Sequence, residues 1–295
     1  MSLAISAEKL SARTGDGTTS GQTLQAIVGF ALVTADLPRL VRFYRDALGF
    51  ALHGADRPIG DGEMALLGLS GAGRRQILSL GDQTLWVDQF EQAGRAYPAD
   101  GDAASLWFQH LALVVDDMRG AHARLRGIAP ISQGGPQQLP SSSGGVRAFK
   151  FRDPDGHPLE LLRFPGGKTP DAWRNRRRLN GQIGLGIDHS AISVSDAEAS
   201  AAFYRVLGLV TGERTINEGP AQQRLDGLPG VEVAVVPMKP QSGVPHLELL
   251  GYRTPEGQAG PALRANDVAA TRIVWLGREA RLISGPNGHL QQLKT

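Results

Sequence analysis

The side chains of this chain that could do chemistry are imidazoles and carboxylates set among apolar neighbours. Glu160 lies between Leu159 and Leu161, and Glu248 between Leu247 and Leu249. An unpaired carboxylate buried in such a run is costly, so coordination or pairing would explain the placement, the other reading being an exposed strand residue. His246 stands two residues before Glu248 and shares its face if the run is a strand. It is therefore a candidate acid or base beside that carboxylate, or else a plain edge histidine. His110 and His189 each open an alternating run, His110-Leu111-Ala112-Leu113-Val114 and His189-Ser190-Ala191-Ile192-Ser193-Val194. A histidine so placed is either a hydrogen-bonded core residue or a donor to a ligand. There is no cysteine, which removes disulfides, thiolate metal sites and cysteine nucleophiles together. Any metal must be held by His, Asp, Glu or Gln.

The elements that would position these groups follow from a chain of 295 residues, enough for two domains or one large one. Hydrophobic residues are 41% and charged residues 20%, and the 38 Gly and 18 Pro show no period, which excludes collagen and wholesale disorder. The balance of 31 Lys+Arg against 29 Asp+Glu leaves +2, with Arg far outnumbering Lys. No face-wide basic excess is implied, so nucleic acid is not expected as the main partner. No apolar run approaches the roughly 18 residues of a membrane span, and no membrane partner is expected. Residues 1–23 are small and polar, lack the basic and apolar regions of a secretory signal, and read as a flexible tail. The default localisation is cytoplasmic, with a secreted or periplasmic one left open because Met1-Ser2-Leu3 could replace a natural leader.

Internal repetition decides the organisation. Residues 29–50 and 189–209 align without a gap through Phe43-Tyr44 and Phe203-Tyr204, which also brings Asp36 onto Asp196. Residues 110–118 are a third copy of the opening strand, with Asp117 at the same place. A second element recurs as well: Asp153-Pro154-Asp155-Gly156-His157-Pro158-Leu159-Glu160-Leu161 matches Gly285-Pro286-Asn287-Gly288-His289-Leu290-Gln291-Gln292-Leu293. The chain is thus built from four related modules. Each full module begins with an alternating strand, and an aspartate then caps a helix, whose stripe in module one includes Leu40, Phe43, Tyr44 and Ala47; Gly49 and Gly208 stop it. Strands follow, and Asp155-Gly156 and Asn287-Gly288 predict two-residue hairpin turns with positive φ at both central residues. The module reads as β-α-β-β-β.

On these motifs the chain resembles the vicinal oxygen chelate superfamily, which includes glyoxalase I, type I extradiol dioxygenases, methylmalonyl-CoA epimerase, and fosfomycin and bleomycin resistance proteins. The resemblance spans about residues 25–293. It implies an α+β fold in which tandem βαβββ modules form two cupped, half-barrel mixed sheets with flanking helices. By sequence the chain divides into the tail (1–23), a glyoxalase-like pair of modules (24–166), a linker (167–183) and a second pair (184–295) whose last module is truncated.

In the superfamily, metal ligands come from the first and last strands of the contributing modules. Carried over, module two offers His110 and Glu160, and module three His189 and Glu248. Module one has Gly29 and Trp86 there, and module four nothing better than Ala270 or Thr271, followed by Gln292. Pairing modules one with two and three with four leaves two half-sites. Pairing two with three collects His110, Glu160, His189 and Glu248 in one cup, and this arrangement is preferred. Its oxygen and imidazole donors suit a divalent Ni, Zn, Fe, Mn or Co ion.

The resemblance then implies a glyoxalase-like lyase or isomerase acting on a small oxygenated substrate, such as an α-hydroxycarbonyl, by metal-stabilised enolate chemistry. Glu160 or Glu248 would be the base, with His246 as a further acid/base candidate. One alternative is an Fe(II) extradiol-type ring-cleaving dioxygenase. Another is a metal-free binding or resistance protein in which Trp86 and Trp107 grip a planar ligand. His157 and His289 read as turn residues, and Trp173-Arg174-Asn175-Arg176-Arg177-Arg178 as a solvated linker face. The Gly- and Ser-rich stretch 134–145 reads as a loop able to close over the cup. The partner expected is a small molecule, and bare sheet edges leave room for a homodimer.

Overall fold

The aspartate that ends each expected first strand does cap a helix. Asp36 accepts from the Arg39 N–H at 3.0 Å, Asp117 from Gly120 at 3.0 Å and Asp196 from Ala199 at 2.9 Å. The computed structural model describes residues 23–179 and 181–295, so the expected tail lies almost wholly outside the described residues.

Module one supplies β1 (Ala26–Val33), α1 (Leu37–Asp46), β2 (Ala51–Leu52), β3 (Arg57–Pro58), α2 (Asp61–Leu66), β4 (Gly73–Leu80) and β5 (Gln83–Phe90). Module two supplies β6 (Gln109–Val114), α3 (Met118–Arg124), β7 (Gln137–Gln138), β8 (Arg147–Arg152) and β9 (Pro158–Arg163). The connecting stretch carries a short helix, α4 (Asp171–Arg174). Module three runs through β10 (Gly186–Ser193), α5 (Ala197–Val206), β11 (Val210–Thr211), β12 (Thr215–Glu218), α6 (Gly219–Asp226), β13 (Glu232–Lys239) and β14 (His246–Thr254). Module four is β15 (Arg272–Leu276), β16 (Arg281–Ser284) and β17 (Leu290–Lys294), passing from β15 to β16 without a helix.

These strands form two open mixed sheets, and each sheet draws one module from either end of the pairing. One has the order β16-β17-β15-β1-β5-β4-β2, with β3 beside β4, and so joins modules one and four. The other has the order β11-β13-β14-β10-β6-β9-β8-β7, with β12 beside β13, and joins modules two and three. In every module the first strand lies parallel to that module's last strand. The two first strands of a sheet meet antiparallel at its centre, β1 with β15 and β6 with β10. Modules two and three therefore share a sheet, the pairing that collects the four candidate ligands.

One apolar cluster takes in residues of both sheets and of the helices, among them Leu40 and Tyr44 of α1, Leu113, Leu161, Ile187 and Leu247 of one sheet and Trp275 of the other. The repeated motifs meet inside it. Tyr44 donates to Asp153 at 3.1 Å, and the Gln291 amide donates to the Tyr204 hydroxyl at 3.2 Å. Thus the turn of module two holds the helix of module one, and the last strand of module four holds the helix of module three. Among the described residues no helix is long and apolar enough to cross a membrane.

The turns themselves differ from expectation. Among the described residues positive φ is confined to glycines, so Asp155 and Asn287 are not left-handed, while Gly156 (97°) and Gly288 (88°) are. The proline before them moves the turn one residue earlier, so that Asp155 and Asn287 stand at its third position. Pro154 and Pro286 hold φ negative at the second position of a type I turn, closed by Gly156 N–H to Asp153 O at 3.0 Å and Gly288 N–H to Gly285 O at 2.9 Å. His157 and His289 follow as buried turn residues, His157 Nδ1 lying 2.8 Å from Asp153 and His289 Nε2 3.1 Å from the Ser193 carbonyl.

Candidate functional site

Strand register builds the site. Across the antiparallel centre of the second sheet, His110 lies opposite Ala191 and His189 opposite Ala112. On the parallel flanks, Glu160 lies beside Ala112 and Glu248 beside Ala191. Directly paired residues share a face, so all four side chains point into one cup, with two alanines leaving space between them. His246, two residues before Glu248, and Lys150, paired with Glu160, share that face. The five residues singled out in the sequence are thus brought together.

His110 Nε2 lies 3.0 Å from Glu160 Oε2, and His189 Nε2 lies 3.5 Å from Glu248 Oε2. The two rings are 5.7 Å apart, centre to centre. His110, Glu160 and His189 each offer a donor atom within 4.8 Å of the other two. Glu248 turns its second oxygen to His246 Nε2 at 3.3 Å. Both ring nitrogens of His110 are buried without a hydrogen bond, so the approach to Glu160 is close but misaligned. Buried donor atoms that converge without satisfying one another are what a cation site looks like before its ion is counted.

The electrostatics follow from burial and opposite charge. Burial alone would lower His189, but Glu248 and Asp188 outweigh it and raise its pKa to about 9. Burial would raise Glu248, yet His189 and His246 hold it down to about 2. His110 is lowered, burial prevailing over the attraction of Glu160. Glu160 itself is lowered because His110 and Lys150 overcome its burial. Lys150 is fully buried and nevertheless raised, since Asp226 and Glu160 outweigh desolvation. Its ammonium lies 2.6 Å from Asp226, whose other oxygen accepts from Gln222 at 2.7 Å and Tyr252 at 3.0 Å.

Around these groups is a cavity of about 490 Å³, large enough for a small molecule. Its apolar wall includes Leu162, Val233, Val235 and Leu250. Leu139, Ser143, Gly144 and Val146 of the Gly- and Ser-rich stretch also line it, so that stretch does border the cup. The tryptophans do not. Trp86 is clasped between Arg75 and Lys294 in the other sheet, and Trp107 is packed against Gly101 and Gly260. Neither tryptophan lines the cavity that holds the four candidate ligands.

The sheet of modules one and four places different chemistry at the equivalent positions. Gly29 and Trp86 stand where the carry-over put them, Trp86 beside Ala31. In module four, Gln292 lies beside Val274, so the register assigns the first-strand position to Arg272, not to Ala270 or Thr271. The truncated module offered no helix from which to count, and this displaced the alignment. Arg272 is fully buried and bonds Asp88, which also takes two bonds from Arg75 at 2.6 and 2.7 Å. Arg75 continues to Glu63, and Glu63 accepts from Gln292 at 2.6 Å. A guanidinium thus stands where the other cup has an imidazole.

Besides Lys150, two residues of the site were not legible. Asp188 should face away from His189 by strand alternation, but β10 has a register shift between Ile187 and His189. This bulge turns Asp188 toward the cup, with Oδ2 2.9 Å from His189 Nδ1 and 3.8 Å from His246 Nδ1. Gly186, a glycine inside a strand, was the available signal. Trp173, expected on a solvated face, is instead 1% exposed and donates to Asp188 Oδ1 at 2.5 Å. The arginines beside it, Arg174, Arg177 and Arg178, are exposed as expected.

Comparison with known proteins places these features. A family model described as the Glyoxalase/Bleomycin resistance protein/Dioxygenase superfamily matches residues 26–161. No curated protein matches the chain. Among solved structures, glyoxalase I from Zea mays is similar with a TM-score of 0.54 at 14% identity, over 91% of this chain and 92% of that one. A candidate dioxygenase from Bacillus subtilis subsp. subtilis str. 168 is similar with a TM-score of 0.55 at 12% identity, over 92% of this chain and 86% of that one. At these identities the likeness is one of fold.

Proposed function

We propose that this chain, whose residues 26–161 match the Glyoxalase/Bleomycin resistance protein/Dioxygenase superfamily and whose fold is similar to that of glyoxalase I, is a metalloenzyme. In this reading it is a glyoxalase-like lyase or isomerase that takes a small oxygenated substrate, an α-hydroxycarbonyl or a similar compound. The observation that supports this is the register that points His110, His189, Glu160 and Glu248 into one cup from two modules. The donor set fits a divalent ion, and the unbonded nitrogens of His110 favour one. His110 and His189 would hold it through Nε2, and Glu160 and Glu248 through one oxygen each. A divalent ion bound there would act as a Lewis acid toward two neighbouring substrate oxygens.

The chain's own residues would do the rest. Of the two carboxylates, Glu248 is the more accessible, its side chain 19% exposed against 8% for Glu160. Glu248 is therefore the base that takes a proton from the carbon beside the substrate carbonyl, with His246 Nε2 at 3.3 Å to receive it. Leu162, Val233, Val235 and Leu250 would pack the apolar body of the substrate and exclude water from the proton in transit.

One observation favours a second reading. His110, Glu160 and His189 each offer a donor atom within 4.8 Å of the other two, and two histidines with one carboxylate are the ligand type of non-haem Fe(II) oxygenases. In that case Glu248 stays with His246, which becomes the acid/base of a ring-cleaving dioxygenase.

Elemental analysis of protein purified without a His tag separates the readings. About one divalent ion per chain, lost in both His110→Ala and His189→Ala, is the expected result. Nickel, zinc, cobalt or manganese, with turnover that persists under strict anaerobiosis, supports the isomerase. Iron with oxygen-dependent turnover supports the dioxygenase. No metal after reconstitution overturns both in favour of a binding protein.

A further inference from the structure

The two imidazoles of the cup stand at equivalent register positions but have unequal surroundings. His189 Nδ1 is 2.9 Å from Asp188, whereas His110 Nδ1 is buried with no hydrogen bond at all. The residue preceding each histidine explains the difference. In β6 the strand is regular, so Gln109 follows alternation to the opposite face, where its amide donates to Ser190 Oγ at 2.9 Å. In β10 the bulge brings Asp188 back to the face of the cup.

That bulge is supported from two directions. Gln83, at the start of β5 in the other sheet, accepts from the Ile187 N–H at 3.2 Å. Gly186 has φ +154°, and a Cβ there would lie 2.0 Å from Gln83 Oε1 and 2.9 Å from the Trp173 ring, so only a glycine admits both. Trp173 packs into this space and donates its indole N–H to Asp188 Oδ1, while Arg176 covers the ring at 4.9 Å. One oxygen of Asp188 is thereby committed to Trp173 and the other to His189.

We propose that Asp188, oriented by Trp173, is the positioning residue that holds His189 with Nε2 toward the cup, so that the stretch between modules two and three is part of the site. The inference rests on the metal-binding reading given above. A carboxylate accepting from the far nitrogen of a ligating imidazole fixes its tautomer and strengthens it as a donor. His110 has no such support, so His189 is the stronger donor of the pair and His110 the weaker. Asparagine at 188 offers a single acceptor oxygen and can serve Trp173 or His189 but not both.

The test is titration of Co(II) into chelator-stripped protein, read by calorimetry and by the visible spectrum of the bound ion, for wild type, Asp188→Asn and Trp173→Phe. Asp188→Asn should weaken Co(II) binding about 10- to 100-fold and change the spectrum. Trp173→Phe keeps the carboxylate and removes only its N–H partner, so it should shift both in the same direction by less. The melting temperature of each metal-free variant is measured alongside, and the spectral change is the readout that a loss of stability alone would not produce. Wild-type affinity and spectrum in both variants overturn the positioning role and leave the metal reading standing. Failure of the wild type to take up Co(II) overturns both.

Discussion

Arg272 occupies in one sheet the position that His110 occupies in the other. Each lies directly across the central antiparallel pair from an alanine, Ala31 for Arg272 and Ala191 for His110. The same repeat has therefore made two different cups. One gathers imidazoles and carboxylates around an open volume, and the other closes on a web of ion pairs in which Asp88 is shared by Arg75 and Arg272.

If that web is structural, its loss should cost stability without touching the other cup. Arg272→Met leaves buried Asp88 with Arg75 alone and should destabilise the chain by about 3 kcal/mol, the low end for breaking a buried pair. Urea denaturation of the metal-free protein measures this, and Co(II) stoichiometry should stay at the wild-type value. An unchanged unfolding midpoint would show the web to be dispensable.

Metal uptake should release a proton. The folded pKa of His189, about 9, lies above its ordinary 6.5, so the stabilisation from its ion pairs is complete below about 6.5 and is lost as pH rises through about 9. Ligation requires the neutral imidazole, so an incoming ion must displace that proton within this window. Co(II) affinity should climb about tenfold per unit from pH 7 to 8 and level off near 9, as for a single displaced proton. Calorimetry in buffers of different ionisation enthalpy counts the proton, and a flat affinity over this range would contradict the assignment.

Lys150 and Asp226 form a buried pair whose members should be costly to separate. Lys150→Met strands the Asp226 carboxylate and should lose about 3–5 kcal/mol. Adding Asp226→Asn removes the stranded charge while an amide oxygen still accepts from Tyr252, so the double variant should recover at least half of the loss. A double-variant cycle by chemical denaturation tests this, and additive losses would argue against a coupled pair.

The two motif tyrosines should differ in worth. Tyr44 donates to the carboxylate of Asp153, while Tyr204 accepts from the neutral amide of Gln291. Removing a bond to a charged group costs about 1.5–3 kcal/mol and a neutral one about 0.5–1.5. Tyr44→Phe should therefore lower the melting temperature more than Tyr204→Phe, and the reverse order would refute the reading.

What the sequence made legible was whatever repeats. His110, His189, Glu160 and Glu248 were found because two copies of one pattern put them at matching places, and Asp36, Asp117 and Asp196 because each precedes a helical stripe. What it concealed depends on departures from the repeat. Asp188 has the wrong parity for its face until a bulge corrects it, and Trp173 lies in a stretch rich in Arg that resembles solvent-facing sequence. Arg272 was missed because module four lacks the helix that anchors the alignment elsewhere. Pro154 and Pro286, by contrast, were a local signal that the turn starts one residue earlier, since a fixed negative φ suits the second position of a type I or II turn.

The nesting of the two sheets also sets an order of assembly. Modules two and three are neighbours in the chain, and their sheet has all its strands once synthesis passes Thr254. The sheet around them begins with β1 but lacks β1's antiparallel partner until Arg272–Leu276 has emerged. For that interval the nascent polypeptide carries a strand with one unpaired side, an edge to which other chains can add. The cup that carries the candidate chemistry can thus be complete while its outer companion still waits for Arg272–Leu276.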